Sequence, residues 1–338
     1  MKYSRLKTLV PTAICVSTLI ALTTFTGCTD EIYAESRKKA QEYFSQNQTF
    51  DIKKVDSMID YWGGDSRYVK QSFNPNTYQY NKIYNHFKNK KGEPIVVHYS
   101  NSISIDQQVQ FDYVFKYLND VFEVVNSNYT FIAQSGTSSN CDIYIEFTDI
   151  NKVVNTNQEV LACTKVKYDS FNNSQISSAE IFFDKNIDVS NSYKRLALVH
   201  EMMHVLYGSG DVNENLSQTF SIYNYGDVAY MSYVIDRSKN TELQESYVFM
   251  TPTDLSSLIS LYGDNTKTEN KLAYLELLNN TLTSCSEVFG PRQPYYEKGY
   301  NLPTQESIEN TTSTQEQSYQ YDENTNTLYY TINQQPQL

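Results

Sequence analysis

Between residues 94 and 208 the spacing of apolar residues switches between a period of two and a period near 3.6, and each switch fixes an element. "PIVVHYS" (94–100) reads as a strand. "DQQVQFDYVFKYLNDVFEVVN" (106–126) carries Val109, Tyr113, Phe115, Tyr117, Leu118, Val121 and Phe122 near i, i+3 and i+4 spacing, which predicts an amphipathic helix. "CDIYIEFTD" (141–149) alternates Ile143, Ile145 and Phe147 against Tyr144 and Glu146, the pattern of a half-buried strand. "VLACTKVKYD" (160–169) and "AEIFFDKNI" (179–187) read as two more strands. "SNSYKRLALVHEMMHVLYG" (190–208) starts on Ser/Asn and stops on glycine, the boundaries of a helix. "TPTDLSSLISLYG" (251–263) opens with a Thr/Asp cap and reads as a shorter helix. Strand, helix, strands, helix, irregular segment, helix is the order of an α/β (α+β) layer with one long helix behind a sheet.

Outside this run the signals thin. Residues 29–48 place Tyr33, Ala40, Tyr43 and Phe44 at helical spacing, a short surface helix. Residues 49–92 are rich in Asn, Tyr, Gly and Lys, with "WGGD" and "NPN" as turns, and assign no element. "ENKLAYLELLNN" is helical again. From residue 301 the chain is too polar to bury a core, so most of it is expected to be disordered; "TLYYTI" is the one piece that could add a strand.

The first 27 residues read as an export signal. Lys2, Arg5 and Lys7 precede the uncharged "LVPTAICVSTLIALTTF", and "TGC" ends on Cys28. The "FTGC" ending resembles a bacterial lipoprotein box, which implies cleavage before Cys28, lipid on its sulfur and a body held on the outer face of the cytoplasmic membrane. An uncleaved membrane anchor is the alternative. The expected organisation is therefore signal 1–27, tether and N-terminal region 28–93, main domain 94–265 and extension 266–338. The formal charge is −12, and −15 once the three cations of the signal leave. So acidic a surface argues against nucleic acid as partner. Cys141, Cys163 and Cys285 remain in the body and permit at most one internal disulfide, with no pair preferred.

The chemistry concentrates in "VHEMMHVLYGSGD" (199–211). On a helix, His200 and His204 lie one turn apart on one face, so two imidazoles can reach one Zn2+ at about 2.0–2.1 Å. Glu201 stands beside the pair, where a base can take a proton from water whose pKa zinc lowers to about 7. A catalytic zinc takes three protein ligands and an open position. No histidine follows His204, so a downstream third ligand must be an oxygen. Gly208 and Gly210 let the chain reverse and bring Asp211 back, with Glu214 as the second candidate. Ca2+ on "SGDVNEN" or "YDSFNNS" has only Asp/Asn-rich composition behind it.

"HEMMHVLYGSGD" resembles the metzincin metallopeptidases, matrixin-like branch, whose motif is HExxHxxGxxH or ends in Asp. Here one extra residue separates His204 from the glycine. "DIYIEF" (142–147) is similar to a family strand, and "AEIFFD" (179–184) to the edge strand on which a substrate chain pairs. "AYMSYV" (229–234) resembles the Met-turn, which implies Met231 under the metal and Tyr233 as a stabiliser of the oxyanion. "LSSLISLYG" (255–263) is similar to the closing helix. The resemblance covers 94–265 and implies an exported zinc endopeptidase acting on peptide or protein substrates. With only His86 and His98 upstream, the family's structural zinc is expected to be missing. Two other readings stay open. One is a surface-binding lipoprotein on a scaffold that no longer cuts. The other is a gluzincin-like peptidase with Glu242 or Glu245 as third ligand.

Overall fold

The computed structural model describes residues 38–42, 44–45, 71–74, 79–82, 86–87, 92–153, 160–169, 175–207, 220–222, 225–264, 267–290, 319–322 and 327–333. The signal segment and Cys28, and Asp211 and Glu214, lie outside them. The strands are β1 (Gln71–Asn74), β2 (Gln79–Lys82), β3 (His86–Phe87), β4 (Ile95–Tyr99), β5 (Phe131–Ser135), β6 (Ile143–Thr148), β7 (Val160–Tyr168), β8 (Gln175–Asp184), β9 (Tyr319–Asp322) and β10 (Thr327–Asn333). The helices are α1 (Ile105–Val125), α2 (Asn191–Tyr207), α3 (Tyr225–Asp236), α4 (Thr241–Ser246), α5 (Pro252–Tyr262) and α6 (Thr268–Phe289). Among the described residues, no helix is long and apolar enough to cross a membrane.

The protein is a mixed α/β fold. Its five central strands run in the order β5-β4-β6-β8-β7. β4, β5, β6 and β8 are mutually parallel, and β7 is antiparallel to β8. β3 adds a short parallel pairing to the start of β8, and β10 then β9 continue the sheet beyond β7. β1 and β2 form a separate hairpin.

α1 starts at a capping box, with Ser104 and Gln107 satisfying each other's backbone N–H groups. Its buried face presents Phe111, Phe115 and Phe122. Phe111 meets Phe183 with ring centroids 5.2 Å apart, and Phe147 stacks on Phe183 at 5.2 Å. Burying each such ring stabilises the fold by about 1.5–3 kcal/mol. Thr251 and Asp254 form the capping box of α5, as "TPTD" predicts. Ala40, Phe44 and Phe87 join the same core cluster as the sheet, so residues upstream of 94 contribute to it.

Three expectations change. "AEIFFD" is not an edge: β8 pairs with β6 on one side and β7 on the other. Its last four residues, Ile181 to Asp184, are all buried, with Phe182 in a small cluster beside Ile150 and Cys163 and Phe183 in the main core. Such an all-buried strand belongs in a sheet interior. The segment before α5, read as irregular, contains α3 and α4. "DVAYMSYVID" has no breaker, and Val228, Met231 and Ile235 fall at i, i+3 and i+7 and are buried. The third change is β5, a short strand of mixed exposure that the sequence did not signal.

Candidate active site

α2 begins at Ser190, whose Oγ accepts the Tyr193 N–H at 3.2 Å. Leu196, Val199, Met203 and Leu206 are all buried and seat the helix in the core. His200, Glu201 and His204 are themselves 0% exposed. The histidine Nε2 atoms converge to 3.1 Å. At that separation both nitrogens can reach one ion at about 2.0–2.1 Å.

The other side of the His200 ring explains why Nε2 faces this point. Nδ1 lies 2.8 Å from the Ile222 carbonyl, which can only accept, so Nδ1 carries a proton and the neutral form of the ring has its lone pair on Nε2. The 220–222 segment that presents this carbonyl is held from two helices. Asp254 accepts the Ile222 N–H at 2.9 Å and the Ser221 hydroxyl at 2.5 Å, besides the Thr251 N–H and hydroxyl. Asp227 of α3 accepts the Ser221 N–H at 3.1 Å. Asp254 was legible in the sequence as a helix cap; its second duty, carrying the support of His200, needed the fold to be seen.

Glu201 meets β7. The Thr164 hydroxyl donates to Glu201 Oε2. Thr164 is itself fully buried, and through it the outermost of the five central strands on this side touches Glu201 directly. Cys163, next along β7, is also buried, and burial and then the Glu201 charge push its thiol well above the usual range. Cys141, Cys163 and Cys285 are all free thiols.

Of the other predicted site residues, Met231 is fully buried but sits inside α3, so it is in a helix and not in a turn. Tyr233 is part-exposed, and the Arg237 guanidinium lies 4.4 Å from its ring centre. Two residues apart on a helix is about 200° of rotation. Met231 and Tyr233 therefore lie on opposite faces of α3. His98 is taken up in the sheet layer: Nδ1 is 2.8 Å from the Thr137 carbonyl and Nε2 is 3.1 Å from the Gln134 amide nitrogen. Gly136 leaves it room, since a Cβ there would stand 2.5 Å from its ring. Glu242 and Glu245 are exposed residues of α4. Among the described residues no group of three His, Cys, Asp or Glu side chains gathers as a complete metal cage.

Known proteins add nothing to this geometry. No family model, curated protein or solved structure matches the chain.

Proposed function

We propose that the protein is a zinc metalloendopeptidase of metzincin type, exported and anchored through lipid on Cys28. The observation that carries the reading is the His200–His204 pair. Two buried imidazoles converge at 3.1 Å, one with its far nitrogen fixed by a carbonyl, and a buried carboxylate stands between them in sequence. A plain core helix has no need of this donor set. His200 and His204 would hold the zinc, with Asp211 as third ligand or Glu214 in its place. Zinc, when bound, supplies a Lewis acid and acidifies water.

The chain's own residues do the rest. Glu201 takes the proton from the attacking water and passes it to the leaving amine. Thr164 fixes one Glu201 oxygen and so sets which way the carboxylate turns. Burial of the three residues keeps bulk water from the donors and strengthens their electrostatics. The test is Glu201→Gln measured on a broad peptide library. Zinc content is expected to stay while hydrolysis falls by about 10²–10⁴-fold. A fully active variant would sink the mechanism.

One observation favours a second reading, a binding lipoprotein on an inactive scaffold: His200, Glu201 and His204 are wholly buried, which a site open to substrate would not be. The peptide library separates the two, because a pure binder retains peptides without cutting any.

A further inference from the structure

β5 and β7 are the outer two of the five central strands, and β7 touches Glu201 through Thr164. A strand edge offers a row of N–H and C=O groups to any extended peptide. That edge is occupied by the chain itself. β10 pairs with β7 in antiparallel register from Thr327 opposite Lys167 to Asn333 opposite Val160. Tyr330 stands opposite Thr164, the residue bonded to the base. β9 closes the outer side of β10, so the pair forms a hairpin laid along the site.

We infer that the C-terminal hairpin β9–β10 is a self-docked strand that blocks the β7 edge, and that a peptide reaches Glu201 only when β10 leaves. The inference rests on the peptidase reading for what happens after displacement, but not for the docking itself. Three features support it. The covered edge is the one beside the base. The His-Glu-His triplet is fully buried in the state that carries β10. And "TLYYTIN" is a β-prone run placed in an otherwise polar end that lends it little other support. The occupant that could replace β10 is an uncharged extended peptide with β-branched or aromatic residues, running antiparallel to β7, since that is the chemistry β10 itself presents.

The test uses the full chain and a labelled peptide of sequence TLYYTIN. In the unmodified chain the backbone amides of Val160–Tyr168 are expected to exchange slowly with solvent. Tyr330→Pro removes a ladder N–H from β10. It should speed exchange in β7 and tighten binding of the peptide in trans by about tenfold or more, because the open edge becomes the populated state. Equal exchange and equal peptide binding in the two chains would overturn the inference. A second variant guards against misfolding of the first. Lys165 and Tyr329 are directly opposite, at a separation of about 4.5–5.5 Å that a disulfide can span. Oxidised Lys165→Cys/Tyr329→Cys should form the cross-link and lose peptide binding, with both reversed by reductant and neither seen in Lys165→Cys alone. Absence of the cross-link, or unchanged binding after it forms, would also overturn the inference. Tighter peptide binding by Tyr330→Pro with no hydrolysis by any form would uphold the docked strand and defeat the peptidase reading.

Discussion

Asp254 acts on His200 without touching it. Its carboxylate anchors Ser221 and Ile222, and the Ile222 carbonyl sets the ring's tautomer. Supporting contacts of this kind are worth about 10–100-fold in metal affinity. Asp254→Ala should therefore weaken zinc binding by about that factor while leaving both histidines in place, measured by competition with a chromogenic chelator; unchanged affinity would remove Asp254 from the site. Tyr233 is a contrasting case. On α3 it turns away from the face that Met231 buries, so Tyr233→Phe should leave kcat/KM within about twofold of the parent, less than the loss of an oxyanion donor would give. The difference between these residues marks the limit of sequence reading. The four-residue spacing of His200 and His204 is local and survives any fold. The support from Asp254 spans 32 residues to Ile222 and depends on how α5 meets the 220–222 segment. Met231 and Tyr233 depend on whether their segment turns or coils, and an apolar run with no glycine or proline coils.

α2 is held by partners that reach it from far along the chain. Arg195, fully buried on α2, donates to the carbonyls of Gln244 at 2.7 Å, Glu245 at 2.8 Å and Tyr247 at 3.3 Å, and to the Gln110 side chain on α1. It thus satisfies the open carbonyl end of α4, a helix of one and a half turns with little stability of its own. At the other end of α2 the Tyr262 hydroxyl donates to the Leu206 carbonyl at 2.5 Å and accepts the Phe87 N–H at 3.1 Å. Ser192 and Ser232 gather on Asp236, tying the start of α2 to the end of α3. Removing Arg195 leaves several buried carbonyls without a donor. Arg195→Ala should cost about 3 kcal/mol in urea unfolding, by the price of unsatisfied buried groups; a loss below about 0.5 kcal/mol would show that the carbonyls find water instead. Element existence was legible where periodicity was strong, as in α1, α2, β6 and β7. α4 was not, because six residues held by a distant arginine carry no period of their own. β8 was found as a strand but given the wrong neighbours, since an edge and an interior strand differ in what covers them.

Across the whole molecule, aromatic burial sets the response to pH. Burial pushes the phenols of Tyr99, Tyr117, Tyr247 and Tyr262 above their ordinary value of 10.0, and that of Tyr129 to about 12. The thiols of Cys163 and Cys285 rise above 9.0 for the same reason. Each of these groups holds its proton longer in the folded chain than in the unfolded one. Their contribution to stability is therefore complete below about pH 8.5 and falls as pH rises through 9 and 10, where the unfolded chain releases protons first. The melting temperature should hold up to about pH 8.5 and drop steadily from there to about pH 10.5. Tyrosinate absorbance should show a group of phenols that ionise only on unfolding; full ionisation in the folded state would contradict the burial. The sheet order places β7 beside Glu201 and lets the far C-terminus reach the same edge, which no local pattern announces. Metal content tests the proposed zinc site most directly. Mass spectrometry of the purified protein should find one zinc per chain, lost in His204→Ala and weakened in Asp211→Ala. A protein that takes up no zinc even after incubation with it would make the His200–His204 pair an ordinary core contact and contradict the proposed function.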